Sequence, residues 1–349
     1  MTTALDPQPP AAPEPSATAP LRRRVIAMSI WAVLFAAGVW LIGLPTSDPV
    51  LPFLWLWLAT IAWRSELPWR RHLAFLRDWA PVVVMLLIYN ISRGVADGLS
   101  EPHVTELIEA DEVLFGWFTG GVVPTAWLQE HLYQPGVVQW WEIVVSVVYF
   151  SHFLAVPAAA VVLWVRSRPQ WARYMRRWMV LTLAGLITYF LYPAAPPWWA
   201  RVEGYLAQPV ERISTNGWDA IGLHSAGNTL NALQVSASNP VAAMPSLHTA
   251  YALLVIVFFL PAVRRRWWPL LLAYPLAMTF TLVYSGEHYI IDVLVGWAYV
   301  GAVFALVSAG ERWWARRHPA PLERGALDAP APGGDLPVTP DGGVAPPRG

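Results

Sequence analysis

Apolar stretches of bilayer-spanning length alternate with short arginine-rich stretches along most of the chain. Lipid offers no partner for backbone N–H and C=O groups, so uninterrupted apolar stretches of this length favour helices. The pattern therefore predicts an all-α fold, a polytopic membrane bundle of about eight transmembrane helices, of which the second is the shortest. The predicted helices occupy residues 25–44, 50–63, 79–98, 137–165, 178–194, 246–262, 267–284 and 289–309.

The two ends of the chain lack this pattern. Residues 1–20 are rich in Pro, Ala and Thr, and residues 318–349 are rich in Pro, Gly and Asp. Both are expected to be disordered cytoplasmic tails that flank a membrane catalytic domain at 21–317. The cluster at 22–24 is followed by an apolar run of full spanning length, which predicts a first anchor and not a cleaved signal.

Composition supports a membrane location, since 56% of the residues are hydrophobic and 22 are Trp. The mean hydropathy of +0.41 is typical of membrane proteins. The absence of cysteine excludes a disulfide, a thiolate nucleophile and a cysteine metal site. The formal net charge is zero and says little about partners. No nucleic-acid partner is expected.

The arginines are distributed unevenly between the connections. If the N-terminus lies in the cytoplasm, all but three of the 23 arginines fall on the inner side, and only Arg93, Arg201 and Arg212 fall outside. The positive-inside rule therefore predicts a multi-pass protein of the cell membrane with both termini cytoplasmic. In the first long outer connection, the amphipathic segment Val113–Tyr133 is expected to be one interfacial or re-entrant helix.

Polar residues suited to phosphate chemistry occur at the predicted outer ends of two helices. Ser246 and His248 fall in a first helical turn, where unpaired N–H groups and the positive end of the helix dipole form an anion site. His288 and Asp292 are four residues apart at the start of the last helix, so Asp292 can orient the imidazole. The histidines are separated by two helices and one turn, which returns both to one membrane depth. This convergence predicts an outward-facing catalytic site.

These residues resemble motifs of the type 2 phosphatidic acid phosphatase superfamily. The resemblance rests on Pro-Ser-Leu-His-Thr at 245–249 and Gly-Glu-His-Tyr-Ile-Ile-Asp at 286–292, while Tyr-Pro-Ala-Ala-Pro-Pro-Trp at 192–198 resembles the inositol phosphorylceramide synthase-like branch. It covers roughly residues 80–310 and implies a six-helix catalytic core.

The same resemblance implies roles for single residues. His288 would attack phosphorus to form a phosphohistidine, Asp292 would orient it, and His248 would protonate the leaving oxygen. Ser246 would hold the phosphate. This chemistry requires no metal and no other cofactor.

The resemblance is incomplete at the basic positions. The family's usual first signature, a Lys with an Arg-Pro seven residues on, is absent, and the position six before His288 that is often Arg is Leu282. Phosphoryl transfer needs cationic or N–H stabilisation of the equatorial oxygens, so Arg93 and Arg201 are expected to supply it. Arg93 has a structural alternative in a pair with Asp97 one turn later.

Other polar residues have a functional and a structural interpretation. His152 is expected either to contact substrate or to form a structural hydrogen bond within the membrane. Tyr289, next to His288, is expected either to line the substrate pocket or to pack against neighbouring side chains. The alternative interpretation of Arg201 and Arg212 is that they are ordinary loop charges, and this interpretation is favoured more strongly for Arg212. Glu287 is expected to face solvent.

Together these features predict a metal-independent membrane enzyme that acts on phospholipid or lipid-phosphate substrates. The branch resemblance favours transfer of an inositol-phosphate head group, and a simple phosphatidic acid or isoprenyl phosphate phosphatase is the alternative. The two histidines and Asp292 would also suit zinc. A membrane transporter, or a channel or other protein that binds an anion between its helices, is an alternative of another class, although no internal repeat is evident. The sequence leaves the acceptor and the oligomeric state open.

Overall fold

A computed structural model of the chain describes residues 18–42, 50–96, 101–220 and 242–318. Within these ranges the chain is helical, and extended backbone pairs only at isolated bridges. The expected all-α class is confirmed.

Eight long helices lie where the sequence predicts them. They are α1 (Thr18–Ile42), α2 (Val50–Trp63), α3 (Trp69–Ala96), α6 (Trp140–Arg166), α7 (Arg168–Leu191), α10 (Leu247–Phe259), α11 (Trp268–Tyr284) and α12 (Ile290–Arg317). Four further helices of the described residues lie in the predicted connections, namely α4 (Thr105–Thr119), α5 (Pro124–Leu132), α8 (Pro197–Val202) and α9 (Asn216–Ala220). Two 3₁₀ turns, Leu260–Ala262 and Arg265–Trp267, connect α10 to α11.

The long helices differ in how well they fit a membrane. In the described part of the chain, three segments are long and apolar enough to cross it, namely Trp140–Arg166, Arg265–Tyr284 and Ile290–Arg317. Phe53–Trp63 and Leu247–Ala262 are apolar but shorter. The eight predicted helices are therefore present. Among the described residues, length and composition support three of them as complete membrane spans.

Two local expectations differ from the structure. Helix α1 already begins at Thr18, inside the expected N-terminal tail, and the rest of both tails lies outside the described residues. The segment Val113–Tyr133 is divided between α4 and α5. Gly120 and Gly121, with φ of 72° and 87°, break it because left-handed backbone ends a helix.

The chain divides into two compact units, Met1–Val307 and Ser308–Gly349. In the first unit the largest apolar core combines residues of α3, α6, α7, α10 and α12. At its centre the rings of Phe75 and Trp79 stack with centroids 5.0 Å apart, and Trp164 meets Phe75 edge-on at 5.1 Å. In the second unit the Arg317 guanidinium lies over the ring of Trp313.

The segment Tyr192–Trp198 joins three parts of the first unit. The N–H of His103 donates to the Pro193 carbonyl at 2.8 Å, and the N–H of Ala195 donates back to His103 at 3.0 Å. On the other side, the N–H of Ala243 donates to the Ala194 carbonyl at 2.9 Å. This segment therefore fixes the start of α4 and the chain just before α10, whose first turn carries His248.

Candidate active site

The N-terminus of α10 packs directly against the first turns of α12. Ser246 is the N-cap of α10, and its Oγ accepts a long hydrogen bond of 3.5 Å from the Thr249 N–H. The Ser246 N–H donates to the Asp292 carbonyl at 3.0 Å. Gly296 faces the Ser246 carbonyl, and its missing side chain permits this approach. The two motif-bearing helix ends are thus held in register by backbone contacts.

The two histidines and Asp292 form a row of side chains. His288 Nδ1 lies 3.3 Å from Asp292 Oδ2, and His288 Nε2 lies 3.3 Å from His248 Nδ1. Asp292 Oδ2 also accepts the Tyr289 N–H at 2.9 Å, which fixes the carboxylate. An ionised Asp292 selects the His288 tautomer that carries its proton on Nδ1, so the Nε2 lone pair faces His248. The structure brings together the three residues that the sequence proposes as catalytic.

A second carboxylate caps the N-terminus of α12. Asp111 of α4 is fully buried, and its two oxygens accept the N–H groups of Ile290 at 2.9 Å and Ile291 at 2.8 Å. Burial raises the pKa of Asp111 to about 7, and the charge of Asp292 adds to this, while the two N–H groups oppose it. The N–H groups that begin α12 are therefore occupied by protein carboxylates. In α10, by contrast, the N-cap Ser246 is uncharged.

Arg212 and Glu287 form a two-point ion pair beside the histidines. Arg212 Nε and Nη2 donate to Glu287 Oε1 and Oε2 at 2.8 and 3.1 Å, and Ser214 donates to Oε1 at 2.8 Å. The Arg212 guanidinium lies 4.9 Å from the ring centroid of Trp198, and its charge acts on His248. The expectation that Glu287 faces solvent is wrong, since only 7% of it is exposed. The alternative that Arg212 is an ordinary loop charge is also wrong, because Arg212 forms this largely buried ion pair.

Backbone hydrogen bonds bring the Arg212 segment to this place. The N–H of Ile213 donates to the Ser285 carbonyl, and the side-chain amide of Gln129 bonds the backbone N–H and carbonyl of Glu211 and the carbonyl of Tyr284. Gly286, with φ of 80°, lies against the Glu211 carbonyl, where a Cβ would come within 2.7 Å. Only glycine combines this backbone conformation with this contact.

A third imidazole lies beside His248. The His152 ring centroid is 4.3 Å from that of His248, and the Tyr149 ring stacks on His248 at 5.6 Å. His152 Nδ1 is buried and has no hydrogen-bond partner among the described residues. His152 therefore forms no structural hydrogen bond through Nδ1 with the described residues, in contrast to the structural alternative.

The remaining candidates fall in different environments. Tyr289 is fully buried in the cluster of Ala194, Ala195 and their neighbours, and in the described region its hydroxyl has no partner. Arg201 is exposed, and its guanidinium donates to the Leu206 carbonyl at 3.3 Å. Arg93 belongs to the last turns of α3, but its side chain and the expected partner Asp97 lie outside the described residues.

The geometry also bears on the zinc alternative. Within the described ranges, no three His, Asp or Glu side chains stand together in an arrangement that would bind a metal ion. The row of His248, His288 and Asp292 is linear, with each nitrogen or oxygen directed at its neighbour.

Comparison with known proteins decides the family. The model of the PAP2 superfamily matches residues 120–306, more than half of the chain and including both histidine motifs. The protein belongs to the PAP2 superfamily. The resemblance drawn from the motifs is thereby confirmed, and the protein is a membrane-embedded enzyme that acts on lipid phosphoesters, a PAP2 phosphatase or phosphotransferase.

A curated relative lies in the expected branch. The phosphoinositol dihydroceramide synthase of Bacteroides thetaiotaomicron is 26% identical over 281 residues, which cover 78% of this PAP2 protein and 86% of the relative. No solved structure matches the chain.

Three residues near the candidate site were not proposed as site residues from the sequence. Asp111 falls on the same face of α4 as Leu107 and Ile108, so a carboxylate within an apolar stripe was a usable signal. Arg212 and Glu287 gave no such signal. They are 75 residues apart, and only the packing of their two loops brings them together.

Proposed function

We propose that this enzyme transfers a phosphorylated head group from a phospholipid to a hydroxyl acceptor through a phosphohistidine on His288. The observation that carries the proposal is the row from Asp292 through His288 to His248, with two contacts of 3.3 Å. One end of the His288 ring is held by a carboxylate, and the other end faces a second imidazole that can carry a proton. This is the arrangement that an activated nitrogen nucleophile requires.

In the first half-reaction the phosphoryl group enters between the two imidazoles. His288 Nε2 attacks phosphorus, and the bond from phosphorus to the lipid oxygen breaks. His248 gives its Nδ1 proton to that oxygen, so the diacylglycerol leaves as a neutral alcohol. Asp292 stabilises the positive charge that develops on the His288 ring.

In the second half-reaction the same groups work in reverse. His248, now neutral, takes the proton of the acceptor hydroxyl as its oxygen bonds to phosphorus, and the bond between phosphorus and Nε2 breaks. Both histidines return to their starting protonation states. Transfer of the phosphorylated head group to a lipid alcohol makes the enzyme a transferase, and transfer to water makes it a phosphodiesterase. With a phosphomonoester substrate and water as acceptor, the same steps make it a phosphatase. No step needs a metal or another cofactor.

Other residues are proposed to hold the substrate. The Ser246 hydroxyl uses its oxygen as the N-cap acceptor and keeps its proton for a phosphate oxygen. His152, whose buried Nδ1 lacks a partner among the described residues, lies next to His248 and would contact the lipid whose oxygen exchanges protons there. Tyr289 would line the pocket. Arg93 and Arg201 are proposed to contact the head group further from phosphorus.

The donor and the acceptor are proposed from the relative. Its name specifies a phosphoinositol group and a dihydroceramide, so we propose inositol-phosphate transfer to a lipid alcohol of that type. The distribution of the arginines supports the proposal that this reaction takes place at the outer face of the cell membrane.

The test uses purified full-length protein and a phospholipid labelled in its phosphate. We expect wild type to release diacylglycerol, to label the acceptor, and to hold label on protein that acid removes and base does not. His288→Ala should lose all three, and His131→Ala, which changes an exposed histidine of α5, should lose none of them. Turnover that persists in His288→Ala would refute the proposal. Chelators should leave the activity unchanged, and inhibition by them would favour the zinc alternative.

A further inference from the structure

The described part of the active site holds one arginine. Between Arg177 and Arg264 the sequence contains only Arg201 and Arg212, and it contains no lysine at all. Arg201 is exposed and bonded to its own loop, while Arg212 is mostly buried beside the histidines. The charge of Arg212 acts on His248, the residue proposed to exchange protons with the substrate.

The Arg212 guanidinium is held in place by two of its three nitrogens. Nε and Nη2 donate to Glu287, and the ring of Trp198 supports one face. The third nitrogen, Nη1, donates to no atom in the described part of the chain. A planar guanidinium that is held rigidly, with the N–H groups of one nitrogen available as donors, is suited to bind an anion. Little side-chain entropy is lost on binding because the side chain is already ordered.

Glu287 ties this arginine to the nucleophile, since it immediately precedes His288 in sequence. The ion pair is therefore attached to the loop that ends at the proposed nucleophile. The charge of Arg212 also acts on His248, whose Nδ1 lies 3.3 Å from the reacting nitrogen of His288.

We propose that Arg212 binds the phosphoryl oxygens of the substrate, and that its pairing with Glu287 restricts the site to phosphodiesters. The inference rests on the proposed function, whose site it completes. A phosphomonoester carries nearly two negative charges at neutral pH, and a phosphodiester carries one. Glu287 already balances the charge of Arg212, and Asp292 balances that of a protonated His248, so within the described site a second negative charge on the substrate would be unbalanced.

Substitutions of the pair test the inference on full-length enzyme in detergent. The substrates are a phosphodiester, phosphatidylinositol, and a phosphomonoester, phosphatidic acid. Arg212→Gln should lower phosphohistidine formation from the phosphodiester by about 100-fold and abolish inhibition by vanadate, an analogue of the transition state. Arg212→Lys, which keeps the charge but loses the fork, should slow the same step by about tenfold, between wild type and Arg212→Gln.

Glu287→Gln separates a phosphate-binding role from a structural one. It keeps an acceptor for Arg212 and removes one negative charge, so turnover of phosphatidic acid relative to phosphatidylinositol should rise by about tenfold. Glu203→Gln, which removes an exposed charge from the neighbouring loop, should not change the ratio. A purely structural pair would lower both activities together and leave the ratio constant.

Two outcomes overturn the inference without touching the proposed function. One is an Arg212→Lys or Arg212→Gln enzyme that forms phosphohistidine within about threefold of the wild-type rate, and the other is an unchanged ratio in Glu287→Gln. If Arg212→Gln does not fold, the lysine variant and Glu287→Gln still decide. Failure of the proposed function is recognised separately, because His288→Ala would then remain active.

Discussion

Gly296 of α12 lies directly against the Ser246 carbonyl at the N-terminus of α10, and a Cβ at position 296 would come within 2.6 Å of that oxygen. This contact sets the separation of the two helix ends that carry His248 and His288. The distance between the proposed nucleophile and the proposed proton carrier therefore depends on a residue with no side chain.

Gly296→Ala should damage the site more than the fold. The carbonyl is backbone and cannot swing away, so α10 has to shift, at a cost of about 1–3 kcal/mol. A displacement on the order of 1 Å between reacting groups can cost about 100-fold in rate. Gly301→Ala is the matched control, because a Cβ there meets nothing within 4 Å. The measurement is turnover and melting temperature of both variants, and equal activity of the two would contradict the prediction.

Asp292→Asn should slow formation of the phosphohistidine without unfolding the protein. The amide keeps the shape but no longer selects the His288 tautomer or stabilises the imidazolium, and comparable changes cost about 10⁴-fold. The rate of label transfer to the protein in a single turnover measures the effect. A loss below about tenfold would show that Asp292 does not orient the ring.

Asp111 should make stability depend on pH in the unusual direction. Its pKa is about 7 in the folded protein and near 3.8 when unfolded, so the folded state binds the extra proton between these values. Stability should therefore fall as pH rises from about 4 to about 7, by about 1.4 kcal/mol per pH unit, and level off above. Melting temperatures across this range should lose that slope in Asp111→Asn. Glu109→Gln, an exposed carboxylate of the same helix, should keep it.

Gln129→Met should weaken donor binding as well as stability. It leaves the N–H and carbonyl of Glu211 and the carbonyl of Tyr284 without partners, at a cost of about 2–5 kcal/mol. Because Glu211 precedes Arg212, we expect the KM for phospholipid to rise more than kcat falls. Glu130→Ala, an exposed change one residue away, should alter neither constant. A fall in kcat alone would contradict this route of action.

Sequence pattern predicted what is local and periodic. The eight long helices follow from apolar stretches, and the meeting of His248 with His288 follows from counting helices between them. The break at Gly120 was missed because an amphipathic stripe continues across it. The N–H groups that Asp111 caps lie 179 and 180 residues away in sequence, and Glu287, the ion-pair partner of Arg212, lies 75 residues away. These contacts depend on loop packing, which no local sequence pattern records.

The cap on α12 also limits how small a working version of this enzyme can be. The segment that matches the family begins at residue 120, after Asp111. A fragment trimmed to that segment would keep both histidines and Asp292, yet two buried N–H groups next to the nucleophile would have no acceptor. The smallest catalytic unit therefore extends back through α4, to residues that carry no family motif.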